Sequence, residues 1–336
     1  MTIDEKRIKI SVLLLAHNRS AFIEKALNSL YYQTADRSKF EVIVVKNFLN
    51  ERIDHIISLY EFINVFTEEK ELTAKLKVGF NVSKGSVITI LEDDDFYESK
   101  RLDILMNKFL NTSIIFYHNS FKIINSKEQL LKLNPQKNDM IFNSRSDKLV
   151  QLLDKAISYR GHHNLSSMAF ERIFFGRVIT NFPNLTYAVD LMFFLEAISS
   201  GRNVFFDSSQ LTYYMKHESA STIDLNADRK SELDDRDFQT ISILESLLQN
   251  ESNLVLANKI RLMMIERKIY INVKQRVYDD KTKVSLEEVY LFLLDKLHYY
   301  NPESYFIVLL FFLSKITHRL ARFIFKKFSL NRINMS

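Results

Sequence analysis

Four carboxylates in succession, Glu92-Asp93-Asp94-Asp95, follow directly on the apolar run Ser86 to Leu91. Two unit charges about 6 Å apart repel by roughly 3 kcal/mol at an effective dielectric near 20. A run of acids can escape that cost as a solvated turn, the common fate of clustered charge. It can also hold a hard divalent cation, Mg²⁺ or Mn²⁺, which takes carboxylate oxygens and leaves places for water and phosphate oxygens. An extended backbone would send Asp93 to one side and Glu92 and Asp94 to the other. One side could then hold metal while the other faces a ribose hydroxyl.

The elements before the acids decide between these readings. Ile10 to Leu15 is an apolar strand that ends at Ala16-His17-Asn18-Arg19. Phe22, Ile23, Ala26, Leu27, Leu30 and Tyr31 then form a helical stripe, with Ser20 placed to cap it. Val42 to Val45 is a second buried strand ending at Lys46-Asn47, and a helix over "ELTAKLKVGFNVSKG" leads to the third strand and the acids. Continuously apolar strands alternating with helices predict an α/β fold, a mostly parallel sheet covered on both faces. Ligands of such sheets sit beyond the carboxyl ends of the strands. His17-Asn18-Arg19, Lys46-Asn47 and Glu92 to Asp95 all fall there, which favours a site over a solvated turn.

The middle of the chain reads as a strand or hairpin over Ser113 to Ile124 and an irregular stretch over Lys127 to Val150. "LVQLLDKAI" follows as a helix, "NLSSMAFERIFF" as a strand or turn entering a helix, and "DLMFFLEAISSG" as a helix ending at Gly201. "NVFFDSSQLTYYMK" is read as strand. Beyond about Ile223 the texture becomes helical throughout, so a boundary is expected there: an α/β domain over 1–222 and a helical extension over 223–336.

The 336 residues are 46% hydrophobic and 26% charged with a net charge of +5, which gives material for a large core and excludes wholesale disorder. With no cysteine, disulfides and thiolate metal sites are excluded. The charged start, "MTIDEKRIKI", has no secretory signal, and the longest apolar stretch, Tyr305 to Leu313, is too short to span a bilayer. A protein in the cytoplasm or peripheral to a membrane is expected. Neither G-x-G-x-x-G nor G-x-x-x-x-G-K-[ST] occurs, so dehydrogenase and P-loop readings lack a phosphate cradle. A nucleotide could still bind if a divalent cation met its phosphates. No G-x-S-x-G elbow supports a serine triad, a glycosidase would need only a carboxylate pair, and dispersed basic residues argue against nucleic acid.

The ordered set "SVLLLAHNRSAFIEKALNSLYYQT", "FEVIVVKNF" and "GFNVSKGSVITILEDDDFYESKRLD" resembles the N-terminal half of family 2 glycosyltransferases, inverting enzymes of the GT-A fold. The resemblance covers roughly residues 8 to 222. It implies transfer of a sugar from a nucleotide-diphosphate donor to an acceptor hydroxyl. By that resemblance Asp94 is the metal-ligating aspartate, with Asp95 beside it, and Asp93 and Glu92 serve the ribose and diphosphate. Ala16, His17, Asn18 and Arg19 form the loop against the nucleobase. Lys46-Asn47 stands where the family commonly has two aspartates, so Asn47 rather than a carboxylate would read uracil or guanine. Lys75 and Lys77 flank Leu76, the position of the family's basic residue for the diphosphate. Asp190 takes the position of the catalytic base, with Val189 in place of the glutamate that often precedes it; an aspartate here could also cap a helix. His217, with Ser219 and Ser221, matches a loop that closes on the metal or diphosphate. His162, His163, Asn164 and Ser166 are polar candidates facing the acceptor.

In "FFLSKITHRLARFIFKK", Lys315, Arg319, Arg322 and Lys326 share one helix face beside Phe312, Leu313, Ile316, Leu320, Phe323 and Ile324. Such a helix can lie in a membrane interface or dock on its own domain. The first option places the enzyme on the inner face of the membrane, with a lipid-linked glycan or polyisoprenyl phosphate as acceptor. A non-catalytic sugar-nucleotide or membrane scaffold of the same fold and a nucleotidyltransferase are the alternatives.

Overall fold

The computed structural model describes residues 9–17, 22–134, 136–216, 230–275, 282–298 and 302–316, together with Ala321 and Ile324. Two units divide the chain, Met1–Leu225 and Asn226–Ser336. In the first, strands β1 (Ile10–Ala16), β2 (Phe40–Lys46), β3 (Ile63–Phe66) and β4 (Val87–Glu92) alternate with helices α1 (Ile23–Tyr31), α2 (Glu51–Leu59) and α3 (Leu72–Val82). β1 lies between β2 and β4, parallel to both, with Leu15 opposite Val45 and Glu92. Val12, Leu14, Val42 and Val44 are buried on one face and Leu13, Ile43 and Val45 on the other, because helices cover both. α1 buries Ile23, Ala26, Leu27 and Leu30, four positions of one stripe. Its cap is Phe22, which makes no side-chain cap bond, and Ser20 lies outside the described residues.

The rest of the unit comprises β5 (Phe96–Tyr97), α4 (Arg101–Asn111), β6 (Ile114–Asn125), β7 (Leu130–Leu133), β8 (Met140–Phe142), α5 (Leu149–Ser158), β9 (Met168–Glu171), α6 (Arg172–Asn181), α7 (Val189–Ser199) and β10 (Asn203–Lys216). The sheet runs β3-β2-β1-β4-β9-β6-β10-β5, with β7 on β6 and β8 on β10. β9 is antiparallel to both β4 and β6, whereas β10 runs parallel to β6. This is the α/β architecture expected from the sequence. The stretch Lys127 to Val150, expected to be irregular, contains β7 and β8 and the start of α5; strands of three or four residues are too short to display a period.

At the opposite edge of the sheet from the acids, Glu41 accepts from the Ser11 hydroxyl at 2.6 Å and from the amides of Lys84 at 2.6 Å and Gly85 at 3.1 Å. A Cβ on Gly85 would stand 2.5 Å from Ser11 Oγ and 2.6 Å from the Lys9 carbonyl, so only glycine lets the chain enter β4 this close to β1.

The second unit is helical: α8 (Lys230–Asn250), α9 (Leu254–Gln275), α10 (Leu286–His298) and α11 (Pro302–Ile316). Ile265, Ile269 and Val273 of α9 form one core with Val289 and Phe292 of α10 and Val308, Leu310 and Phe311 of α11. This part of α11 therefore packs within its own unit. The basic face expected at Arg319, Arg322 and Lys326 lies outside the described residues, as does the Lys315 side chain. No helix among the described residues is long and apolar enough to cross a membrane.

Candidate functional site

β1, β2 and β4 end side by side, and a single polar network joins their ends. Lys75 reaches from α3, almost fully buried, and donates to the Ala16 carbonyl at 3.2 Å and to His17 Nδ1 at 2.6 Å. Asn47 Nδ2 meets the same Nδ1 at 3.2 Å. With a lysine donating to Nδ1, the neutral imidazole carries its proton on Nε2. The His17 amide donates to Asp93 Oδ2 at 3.0 Å, linking β1 to the acids. Ala16, His17, Asn47, Lys75 and Asp93 thus stand together.

Lys46 and Lys77 stand elsewhere. Neighbouring strand residues face opposite ways, so Lys46 turns toward α2 while Asn47 turns to the site. The Lys46 ammonium donates to the Phe48 carbonyl at 2.8 Å and pairs with Asp54 at 2.9 Å. Lys77, about 200° around the helix from Lys75, donates to Asn184 Oδ1 at 3.1 Å. Asn18, Arg19 and His217 lie outside the described residues, as do Ser219 and Ser221.

The acids form a turn instead of continuing the strand. The Asp95 amide donates to the Glu92 carbonyl at 3.1 Å, and Phe96 then pairs antiparallel with β10. The chain must reverse here because β5 runs antiparallel to β10, and so to β4. Burial still alternates: Asp93 and Asp95 are buried, and Glu92 and Asp94 half-buried. Asp95 Oδ1 accepts from the Met215 amide at 3.0 Å; among the described residues its buried Oδ2 has no hydrogen-bond partner of good geometry, although the nearby Ser166 hydroxyl still favours the charged form. Burial, followed by the charges of Asp94 and Glu92, raises the Asp95 carboxyl well above the usual carboxylate range. A buried acid whose charge is unfavourable, beside two half-buried acids, suits a hard cation completed by further oxygen ligands. Among the described residues, no group of three or more His, Asp and Glu side chains is arranged to hold a metal by itself.

Beneath the turn lies Arg101, with no exposed surface. It donates to Asn119 Oδ1 at 2.9 Å and Thr89 Oγ1 at 3.0 Å and stacks 3.9 Å from the Tyr97 ring centroid. The three partners come from β4, β5 and β6, and no local pattern in the sequence announces that cage.

Asp190 sits in the first turn of α7, where the helix dipole favours a carboxylate. It is not the capping residue. That position is Ala188, held at φ 57°, a left-handed conformation uncommon outside glycine and asparagine. Asp190 Oδ1 accepts from the Leu191 amide at 2.9 Å, and Oδ2 lies 3.9 Å from His163 Nδ1. The His163 carbonyl accepts from His118 Nε2 at 2.8 Å. His118 is fully buried, and burial lowers its pKa to about 4, so it is a neutral donor. Three residues beyond His163, the buried Ser166 hydroxyl accepts from the Glu92 amide at 3.0 Å. Asn164, at φ 69°, bends the intervening chain by accepting from the Ser166 amide at 3.1 Å and donating to Ser167 Oγ at 2.9 Å. One short segment thus spans from the acid turn to Asp190, a joint invisible before β9 is known to lie against β4.

Residues 11–169 match the family model described as Glycosyl transferase family 2. Among solved structures, the chain is similar to residues 1–349 of TarS from S. aureus in complex with UDP-GlcNAc. The two are 16% identical with a TM-score of 0.60, over 85% of this chain and 79% of that one. It is also similar to the mannosyltransferase PcManGT from Pyrobaculum calidifontis in complex with GDP-Man and Mn²⁺. There the identity is 12% and the TM-score 0.50, over 95% of this chain and 86% of that one. At these identities the likeness is one of fold. No curated protein sequence matches the chain.

Proposed function

We propose that the protein, whose residues 11–169 match the Glycosyl transferase family 2 model, transfers a sugar, with inversion, from a nucleotide-diphosphate donor to an acceptor hydroxyl, and that it requires a divalent cation. The observation that carries this reading is the acid turn at the end of β4, where buried Asp95 stands beside half-buried Glu92 and Asp94, joined through residues 163–166 to Asp190. The bound nucleotide sugars of the two similar structures support the donor class.

Asp94, with Asp95 beside it, would hold Mg²⁺ or Mn²⁺, a cation that when bound would supply positive charge against the leaving diphosphate. Asp93 and Glu92 receive the ribose and diphosphate, and Ala16, His17, Asn47 and Lys75 form the edge toward the base. Asp190 accepts the proton of the acceptor hydroxyl as its oxygen bonds to the anomeric carbon from the face opposite the diphosphate. The bond from that carbon to the diphosphate oxygen breaks in the same event, and the nucleoside diphosphate leaves with the electron pair. Geometry matters more than a raised pKa, because the proton is lost as the bond forms. The Leu191 amide fixes the carboxylate through its bond to Oδ1, with His163 3.9 Å from Oδ2.

The transferase unit spans 1–222 and the helical extension 223–336. A lipid-linked glycan or polyisoprenyl phosphate is the acceptor, met at the inner face of the membrane with help from the basic segment after Ser314. The test is calorimetry with UDP and GDP, with and without Mn²⁺, on the wild type and Asp94→Ala. Metal-dependent binding of one nucleotide, lost in the variant, is expected. Failure of the wild type to bind either would leave a scaffold of the same fold as the better reading.

A further inference from the structure

Among the described residues β7 pairs with β6 alone, as an edge strand, and it carries Leu130, Leu131 and Leu133 at 57%, 49% and 50% exposure. Leu130 stands opposite Ile124 and Leu133 opposite Lys122, on one face of the sheet, while Lys132 stands opposite Ile123 on the other. The register shifts between Ile123 and Ile124, which leaves Leu131 bulged and without a partner residue. A lysine and a bulge are devices that resist addition of another strand. The edge is therefore poorly suited to a second copy of the chain, yet it keeps three leucines in water.

Cations gather beside it. Asn134, next after the strand, donates to the Tyr159 carbonyl at 2.7 Å and so ties the Tyr159-Arg160 turn to the end of β7. Arg160 is held at φ 58°, outside the usual range for its residue type. Lys216 ends β10 on the same face as Tyr214, which pairs with Ile123 in the row that contains Lys132. Burial, followed by the charges of Arg160 and Lys132, lowers the pKa of the Lys216 ammonium. Among the described residues none of the three is ion-paired to an acid, and Glu128, in the β6–β7 turn, is taken by Lys25. Like charges kept together without acids, beside water-exposed leucines, need a partner that supplies both apolar depth and negative charge.

We infer that the β7 edge docks on an anionic lipid surface, with Leu130, Leu131 and Leu133 entering the interface and Lys132, Arg160 and Lys216 meeting the headgroups. Both signals are present, as stable but reversible attachment requires. The inference stands on the first unit alone and needs neither the basic C-terminal segment nor the proposed reaction.

The chain has no cysteine, so Leu131→Cys provides one labelling site for an environment-sensitive fluorophore. With phosphatidylcholine vesicles containing phosphatidylglycerol, its emission should shift to the blue and be quenched by spin-labelled lipid. Vesicles of phosphatidylcholine alone should leave it unchanged. A probe at Leu59→Cys, exposed on α2, should stay in water with either. Adding Lys132→Gln and Arg160→Gln should weaken partitioning about thirtyfold, as the loss of two surface cations implies. A Leu131 probe that remains in water while the protein sediments with anionic vesicles would overturn the inference. So would a concentration-dependent shift without vesicles, which would mark a second copy as the occupant.

Discussion

His118 ties the acid stability of the first unit to the candidate base. Its ring is fully buried in β6 against Phe121 and Phe206, with Nε2 donating to the His163 carbonyl and Nδ1 buried without a hydrogen-bond partner among the described residues. Burial lowers its pKa from 6.5 to about 4, the bond to His163 opposing only in part. The sign follows from proton counts. Below pH 6.5 the unfolded chain binds a proton that the folded chain refuses until about pH 4, so stability falls with pH across that window. The loss from this residue is about 2 kcal/mol at pH 5 and about 3 kcal/mol at pH 4. His118→Gln keeps an Nε2 donor for the His163 carbonyl and removes the titration. Urea unfolding followed by circular dichroism at pH 7, 5 and 4 should show the wild type losing about 3 kcal/mol more than the variant between the extremes. A ring titration of His118 by NMR should place its midpoint well below 6.5. Parallel losses in the two chains, or a midpoint near 6.5, would refute the reasoning.

Three further outcomes are expected. Ser166→Ala leaves the Glu92 amide without its partner, costing about 1–2 kcal/mol in denaturant titration; it should also weaken metal-dependent nucleotide binding, and unchanged values of both would detach Ser166 from the site. Lys46→Met should destabilise the fold yet leave nucleotide affinity within about twofold, since the ammonium pairs with Asp54 away from the strand ends; a large loss of affinity would return Lys46 to the site. At Glu41, burial pushes the carboxyl up, but the Ser11 hydroxyl, the Lys84 and Gly85 amides and Lys9 outweigh it and hold it below 4.5. Its contribution is therefore present above about pH 4.5 and lost as pH falls through the lower folded value. Glu41→Gln should already lack that contribution at pH 7, and its unfolding curve should be flatter in acid than that of the wild type.

The parallel core is legible in the sequence because Val12 to Leu15 and Val42 to Val45 are apolar at every position, which only a sheet covered on both faces requires. The clustering of Ala16, His17, Asn47 and Asp93 follows from that core, since parallel strands bring their carboxyl ends to one edge. Which side chains turn toward that edge is less legible. Lys46 and Asn47 are adjacent and both polar, and only the position of Asp54 on α2 decides that the lysine turns away. The acid run reads as extended because nothing local shows that β5 must run antiparallel to β10. The joint from Ser166 to His163 and Asp190 depends on β9 inserting antiparallel between β4 and β6, a non-local pairing of the kind hydropathy does not encode. His118 looks like any polar residue in an apolar strand, and its depressed pKa exists only once Phe121 and Phe206 close around it.

Asp190 carries the central claim, because a binding scaffold needs the acid turn but has no use for a base. Donor turnover, measured as nucleoside diphosphate released from UDP- and GDP-sugars with Mn²⁺ and acceptor, tests it most directly when wild type and Asp190→Asn are compared. The variant should bind donor and metal as the wild type does and lose transfer by about a hundredfold or more. Full transfer by Asp190→Asn would contradict the claim.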